Sequence, residues 1–187
     1  MAKSKTLGYD DIEAAINRLA ESISLRHPTP RSLILLGIAN GGLELTRRLA
    51  AKLGVTRTGT IDISFHRDDI GLNPIPKELV PTCISTDVQG ATVILVDDVL
   101  FSGRTVKAAL NELFDHGRPG KVELAVLVDR GGRKLPVAPD YAGLILDPDP
   151  ADKVVVRLDP TTPQHDFIRI ETSVPKIRHS ISETKTR

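Results

Sequence analysis

Apolar residues recur at steps of three and four in three segments of the chain, which is the spacing of one buried helical face. These segments cover residues 10–25, 43–53 and 105–116. We expect the first helix to be capped by Asp10, and the second to carry Arg47, Arg48 and Lys52 on its outer side. The apolar positions are Ile12, Ala15, Ile16, Leu19 and Ile23; then Leu43, Leu45, Leu49, Ala50 and Leu53; then Val106, Leu110, Leu113 and Phe114.

Short apolar runs lie between these helices and are typical of strands buried on both faces of a parallel sheet. The runs are SLILLGI at 32–38, TVILV at 92–96 and VELAVLV at 122–128, with an alternating strand, TIDISF, at 60–65 and weaker candidates at 141–146, 153–158 and 167–172. Strands that alternate with helices predict an α/β fold with an open, mostly parallel sheet.

Residues 66–91 are polar, contain three prolines and have no hydrophobic period. A loop of this length inside a compact domain is more often a functional lid than a simple connection. We therefore expect a lid here. The length of 187 residues predicts one domain, over residues 1–175, followed by a polar tail at 176–187.

The composition excludes several classes of function. The 25 Lys and Arg residues nearly balance the 24 Asp and Glu residues, so any site for a polyanion must be a local patch. The single cysteine, Cys83, excludes an intramolecular disulfide framework and a cysteine-cluster metal site. No run approaches the ~20 apolar residues of a membrane span, and the first residues lack the apolar core of a signal peptide. We therefore expect no membrane contact and a cytoplasmic location.

Ligands of open α/β sheets bind beyond the carboxyl ends of the strands. Three loops leave those ends, at residues 39–42, 97–105 and 129–136, and we expect them to converge on one site. No GxxxxGK[ST] or GxGxxG pattern occurs in the chain, which argues against a P-loop kinase and against a dinucleotide-dependent dehydrogenase.

The most informative segment is VILVDDVLFSGRT at residues 93–105, where an apolar strand leads into two acids and a turn that opens a helix. Adjacent carboxylates at a strand end project in different directions, so Asp97 and Asp98 suit the two neighbouring hydroxyls of a ribose. The amides of residues 101–105 and the hydroxyls of Ser102 and Thr105 lie at a helix N-terminus, which favours a phosphate. The segment therefore predicts a ribose 5-phosphate site.

This segment resembles the motif that binds phosphoribosyl diphosphate (PRPP) in type I phosphoribosyltransferases. Three further segments, HRDD at 66–69, NELFDHGRP at 111–119 and LVDRGGRKLPVAPDYAG at 127–143, resemble the pyrimidine-operon regulators of the PyrR family. The resemblance runs from about residue 7 to residue 158. It implies the type I phosphoribosyltransferase fold, a mostly parallel twisted sheet flanked by helices, with a small hood built from parts of residues 127–172.

Two activities are implied by the resemblance. One is uracil phosphoribosyltransfer, in which uracil and PRPP give UMP and pyrophosphate with Mg²⁺ as cofactor. The other is binding of pyrimidine operon mRNA in response to uridine nucleotides, which regulates transcription by attenuation. Relatives form dimers and larger assemblies, so the resemblance also implies a homo-oligomer.

The resemblance carries roles onto particular residues of this chain. Asp97 and Asp98 match the acids that hold the ribose hydroxyls and, through Mg-PRPP, the metal ion. Arg67 is the catalytic candidate at the start of the lid, next to Asp68 and Asp69, and Lys77 is the lid cation expected to meet the pyrophosphate. The phosphate loop comprises Val99, Leu100, Phe101, Ser102, Gly103, Arg104 and Thr105; the base candidates are Asp129, Arg130 and Val154; and the RNA candidates are Arg18 and Arg26, with Arg31, Arg47, Arg48 and Lys52 as additions to the same patch.

The loop that meets the pyrophosphate departs from the family. It usually reads K-T-R-G, whereas residues 39–42 here are Ala39, Asn40, Gly41 and Gly42, with Asn40 and Gly41 as the binding candidates. Backbone amides in such a turn can bind an anion, but the cations that stabilise a departing pyrophosphate are missing. Two alternatives therefore stay open: a nucleotide-sensing RNA-binding regulator with weak or absent turnover, and a phosphoribosyltransferase for another nucleobase.

Overall fold

The central sheet has five strands, and every pair of neighbours in it is parallel. The structure is a computed structural model that describes residues 6–63 and 81–172. In chain order its helices and strands are β1 (Thr6–Leu7), α1 (Tyr9–Arg26), β2 (Ile34–Ile38), α2 (Gly42–Leu53), β3 (Thr58–Ile61), β4 (Thr92–Leu100), α3 (Arg104–Asp115), β5 (Lys121–Asp129), β6 (Tyr141–Ile145), β7 (Lys153–Arg157) and β8 (Phe167–Glu171), with single 3-10 turns at Pro30–Ser32 and Pro163–His165. The sheet order is β3-β2-β4-β5-β6.

Two apolar layers cover the two faces of this sheet. Ile94 and Val96 of β4 pack with α1 and α2, whereas Val93 and Leu95 pack with α3 on the other face. Side chains of a strand alternate between faces, so a strand covered on both sides must be apolar at every position. This explains the continuous apolar runs and confirms the predicted α/β fold.

A second, smaller sheet is antiparallel and has the order β1-β8-β7. It contains two of the weaker predicted strands, at residues 153–157 and 167–171, within the segment expected to form the hood. It also includes β1, a two-residue strand that precedes that segment by more than a hundred residues. Val154 and Ile168 of this sheet join the apolar layer of α1 and α2, so the small sheet is packed firmly on the domain.

The predicted elements are present, with differences at their ends. The residue before α1 is Gly8, whose N–H donates to Asp11 at 3.2 Å, so the expectation that Asp10 caps this helix was wrong. β4 continues to Leu100 instead of stopping at Val96, because β5 pairs with it through Leu100. Among the described residues, no helix has the length and apolar character to cross a membrane.

Arg48 corrects a second expectation. The helical period predicted that Arg48 lies on the solvent-facing side of α2, but its side chain is only 7% exposed. Its guanidinium forms two hydrogen bonds to the fully buried carboxylate of Asp166, at 2.5 and 3.2 Å, and a third to Glu44 at 2.7 Å. A buried charge is tolerated only when it is paired in this way. Arg48 therefore cannot join an exposed basic patch; it ties α2 to the segment before β8.

Candidate functional site

Asp97 and Asp98 lie where β4 extends beyond one of its neighbours. The pairing of β2 with β4 ends at Val96, while β5 continues beside β4 as far as Leu100. This overhang leaves room beside the two acids at the carboxyl end of the sheet, as predicted for a ligand. Asp97 is 5% exposed and Asp98 is half-buried. The N–H of Asp98 donates to Asp97 Oδ1 at 3.0 Å, which orients the first carboxylate.

The loop after β2 is placed directly on these acids. A Cβ atom on Gly41 would lie 2.5 Å from both carboxylate oxygens of Asp98, and one on Gly42 would overlap the carbonyl oxygen of Val96. Glycine is therefore required at both positions by close approach rather than by an unusual φ angle, since neither residue has a positive φ. The Ala39–Asn40 peptide bond in this loop is cis.

Burial makes both carboxylates costly to ionise. Burial raises the pKa of Asp97 well above its usual range, and the adjacent negative charge of Asp98 raises it further. Burial likewise raises the pKa of Asp98. Hydroxyl donors or a divalent cation would relieve this cost, because both interact favourably with the charged form.

The acids fit Mg²⁺ only if a substrate supplies further ligands. Magnesium prefers oxygen ligands and is usually held by one or two carboxylates together with substrate phosphates. Within the described ranges, no group of three or more His, Cys, Asp or Glu side chains is arranged to hold a metal ion. Asp97 and Asp98 are thus suited to a metal ion that arrives with a phosphorylated substrate.

The phosphate loop after β4 is supported from outside by residues 133–137. Gly103 precedes α3 with φ of +89°, and a Cβ atom on it would lie 3.3 Å from Leu135 and 3.4 Å from Val137. The carbonyl of Ser102 accepts hydrogen bonds from the N–H groups of Lys134 and Leu135, both at 3.0 Å, and its hydroxyl accepts one from the N–H of Arg104 at 3.3 Å. The loop is therefore held at the start of α3, where backbone donors favour a phosphate.

Arg133 supports this region with its side chain, although it was not among the predicted site residues. Its guanidinium donates to the carbonyls of Leu100 and Phe101, at 3.2 and 3.0 Å, and forms an ion pair with Asp129 at 2.6 Å. The repeated arginine in D-R-G-G-R was a visible signal, but the pattern alone did not say which arginine turns back towards β4. Asp129 also accepts the N–H of Gly131 at 2.9 Å, so its carboxylate is engaged within the loop.

Arg130 joins the phosphate loop to the segment before β7. It is 7% exposed, its guanidinium stacks 4.0 Å from the centre of the Phe101 ring, and it donates to the carbonyl of Asp152 at 2.9 Å. Its Nε atom is buried and has no hydrogen-bond partner among the described residues. Val154, the third base candidate, is buried in the apolar layer of α1 and α2.

The comparisons with known proteins agree with this geometry. The family model described as "Phosphoribosyl transferase domain" matches residues 8–160. A "Bifunctional protein PyrR" from Roseiflexus is 40% identical over 163 residues, covering 84% of this chain and 89% of that protein. A protein of the same name from Corynebacterium efficiens is 47% identical over 162 residues, covering 81% and 84%.

The chain belongs to the PyrR family of phosphoribosyltransferases. A solved structure agrees on the fold: the hypoxanthine phosphoribosyltransferase of Staphylococcus aureus has a TM-score of 0.64 and covers 95% of each chain. Its sequence identity is 17%, so this similarity supports the fold alone. The type I phosphoribosyltransferase fold predicted from the sequence is thereby confirmed.

Several candidate residues of this PyrR-family chain lie outside the described ranges. They are Arg67, Asp68, Asp69 and Lys77, which were assigned to the lid, and the polar tail at residues 176–187. The described end of the lid segment pairs with β3: Cys83 and Thr60 exchange two backbone hydrogen bonds at 3.0 Å. The segment therefore returns to the sheet along the edge of β3.

The two RNA candidates lie along the same edge of the PyrR-family domain. Arg18 donates from Nε and Nη2 to the carbonyl of Gly143 in β6, at 3.2 and 2.9 Å. Arg26 forms an ion pair with Asp140 at 3.1 Å and stacks 4.9 Å from the ring centre of Tyr141. Both arginines are exposed and both are engaged with the edge strand, so each has a structural role whether or not RNA binds.

Proposed function

We propose that this protein transfers the phosphoribosyl group of PRPP to uracil, with Mg²⁺, and that it also binds pyrimidine operon mRNA under the control of uridine nucleotides. The observation that carries the transferase is the seating of the Gly41–Gly42 turn on Asp98 at the open end of β4. The proposal is supported by a turn of backbone amides beside two carboxylates, followed along the chain by the turn that precedes α3. Those are the three features that recognition of a ribose bearing a 5-phosphate and a pyrophosphate requires.

In the proposed reaction, the bond between C1′ and the pyrophosphate oxygen breaks, and that oxygen keeps the electron pair. N1 of uracil forms the new bond to C1′, and the proton that N1 gives up is released to water. Mg²⁺ bound with PRPP would neutralise charge on the pyrophosphate oxygens. Asp97 and Asp98 accept hydrogen bonds from the ribose hydroxyls, and the amides of residues 101–105 hold the 5-phosphate. The protein thus acts mainly by positioning the reactants and excluding water.

The decisive experiment measures UMP formation from uracil and PRPP with Mg²⁺. Asp97→Asn with Asp98→Asn should retain the fold and lose at least about a thousandfold in turnover, since both ribose contacts are weakened. The matched control is Asp115→Asn with Asp149→Asn, which removes two exposed acids outside residues 39–42, 97–105 and 129–136. A double mutant at 97 and 98 that forms UMP as fast as this control would contradict the proposal.

One observation favours the alternative of a regulator without turnover: residues 39–42 carry no basic side chain. The same assay separates the two candidates, because a folded wild type that binds UMP but never forms it would be a nucleotide sensor. Replacing uracil with hypoxanthine, guanine and adenine in the assay tests the remaining alternative, a transferase for another base. Turnover with a purine and not with uracil would identify that activity.

The RNA-binding part of the proposal draws its support from the relatives named "Bifunctional protein PyrR" and from the two exposed arginines on one edge. Arg18→Gln with Arg26→Gln should weaken binding of an operon leader RNA and lower the slope of log K against log salt by about 0.7–0.9 for each lost phosphate contact. Arg18→Lys with Arg26→Lys keeps the charge and should retain the slope. Binding that stays independent of salt in the wild type would exclude this surface.

A further inference from the structure

A cavity of about 250 Å³ lies between the loop after β2 and the end of β7. It is open to solvent and brings together residues from three separate parts of the chain. Its walls are formed by Asn40, Gly41, Glu44, Asp98, Val156, Arg157 and Leu158. The loop expected to meet pyrophosphate therefore shares a cavity with one of the ribose acids and with the small sheet.

Of the two charged side chains at this cavity besides Asp98, Glu44 has partners of opposite charge and Arg157 has none within hydrogen-bond distance among the described residues. Glu44 accepts hydrogen bonds from Arg47 at 2.7 and 2.8 Å and from Arg48 at 2.7 Å, which lower its pKa against the opposing effect of burial. Its charge is thus already balanced. Arg157 is the one basic side chain among the described residues that line the cavity, and it has no hydrogen bond or ion pair with any residue in 6–63 or 81–172. The guanidinium of Arg157 attracts the carboxylate of Asp159 without forming an ion pair, and this attraction helps to lower the pKa of Asp159.

Partly buried hydrogen bonds hold the end of β7, which carries Arg157, beside the loop. Arg157 is the last residue of β7 and pairs with Phe167 of β8. Just beyond it, the carbonyl of Asp159 accepts a hydrogen bond from Arg48 at 2.9 Å, and the N–H of Asp159 donates to Asp166 at 2.7 Å. Because Arg48 belongs to α2, this network fixes the end of β7 over the start of the helix that follows the glycine loop.

We propose that Arg157 binds the pyrophosphate group of PRPP and supplies, from the small sheet, the positive charge that residues 39–42 lack. This inference rests on the proposed transferase and names a further residue of the same site. The guanidinium would form charge-assisted hydrogen bonds to the pyrophosphate oxygens, for which its planar fork of donors is well suited. Its positive charge stabilises the negative charge that the leaving oxygen gains when the bond to C1′ breaks.

The test measures binding of pyrophosphate with Mg²⁺ and, separately, of UMP, by calorimetry on the full chain. Arg157→Gln should weaken pyrophosphate binding about 10- to 100-fold, which is the size expected for charged hydrogen bonds, and leave UMP binding within about twofold of the wild type. The pyrophosphate affinity of Arg157→Lys should lie between that of the wild type and that of Arg157→Gln. Arg169→Gln is the matched control, because Arg169 is an exposed arginine of the same small sheet that does not line the cavity.

A second substitution that restores pyrophosphate binding would show that the loss in Arg157→Gln arises from the missing charge and not from a general loss of stability. Adding Asn40→Lys to Arg157→Gln returns a cation to the opposite wall of the cavity, and it should restore at least about tenfold of the lost pyrophosphate affinity. Pyrophosphate binding by Arg157→Gln equal to that of Arg169→Gln would overturn the role of Arg157, and so would a wild type that does not bind pyrophosphate.

These results are separable from those of the transferase assay. A wild type that forms UMP while Arg157→Gln binds pyrophosphate normally leaves the transferase standing and removes Arg157 from it. A wild type without turnover, whose pyrophosphate affinity nevertheless depends on Arg157, contradicts the transferase and supports the binding role.

Discussion

The two loops proposed to bind the phosphate groups of PRPP, at the carboxyl end of the sheet, are built in different ways. The phosphate loop at residues 99–105 follows directly from the two acids in one continuous motif, and residues 133–137 hold it through backbone hydrogen bonds. The loop at residues 39–42 has no basic side chain: two glycines pack on β4, and the arginine that shares a cavity with the loop belongs to β7. One loop carries its chemistry locally, whereas the other depends on a partner more than a hundred residues away.

The largest expected effect comes from breaking the connection between α2 and the small sheet. Arg48→Met leaves the carboxylate of Asp166 buried without its partner and should lower the free energy of unfolding by about 3–5 kcal/mol. Arg47→Met is the matched control, since Arg47 is exposed and pairs only at the surface; it should cost about 0–1 kcal/mol. Urea unfolding of both variants measures the difference.

Adding Asp166→Leu to Arg48→Met sharpens the same result. If the cost arises from the orphaned carboxylate, the double variant recovers part of the lost stability. A single variant as stable as Arg47→Met would show that the buried pair does not hold β7 against α2.

A smaller effect is expected within the glycine loop itself. Gly41→Ala places a methyl group against the Asp98 carboxylate, so the loop or the acid must shift, at a cost of about 1–3 kcal/mol. PRPP binding should weaken at least tenfold, because the two groups that must meet the ligand move apart. Gly8→Ala is the control, since a Cβ atom there meets nothing within 4 Å. Equal PRPP affinity of the two variants would contradict the close seating of this loop.

A substitution near the phosphate loop should affect UMP binding and leave pyrophosphate binding nearly unchanged. Arg133→Gln removes the ion pair to Asp129 and the donors to the carbonyls of Leu100 and Phe101, and it should cost about 1–2 kcal/mol. UMP binding should weaken about tenfold, while pyrophosphate binding stays within about twofold of the wild type. Calorimetry with both ligands measures the two affinities, and a parallel loss of both would show that the loops are not independent.

The smallest effect is expected at the other end of the sheet, away from both loops. Burial opposes ionisation of Glu123, but hydrogen bonds from Lys121, His27 and Tyr141 lower its pKa from 4.5 to about 2. The stability from this charge is therefore present above about pH 4.5 and is lost as the pH falls towards 2.

Glu123→Gln should accordingly lower stability by about 1–2 kcal/mol at pH 7, and the difference from the wild type should shrink between pH 4.5 and 2. Thermal unfolding across this range measures it, and UMP binding at pH 7 should be unchanged. A difference in Tm that stays constant with pH would exclude ionisation of Glu123 as the source.

Local patterns determined most of the fold. The apolar faces of α1, α2 and α3 and the runs of β2, β4 and β5 were readable because burial on a helix or in a covered sheet imposes a period on neighbouring residues. The motif at residues 93–105 was readable for the same reason: its acids, its glycine and the start of its helix act within one short segment. The sequence by itself therefore determined the fold class and the family, and it predicted a phosphate loop within residues 93–105.

Only the tertiary structure decided which arginines have buried or structural partners. Arg48 was expected outside because a helical period counts every arginine as polar, and its burial depends on Asp166, 118 residues further along the chain. The same holds for Arg133, which turns back to the end of β4, and for Arg157, which β7 brings to the glycine loop. A charge can be buried or aimed at a site only when a distant partner or cavity is supplied, and that pairing arises from the packing of the whole domain.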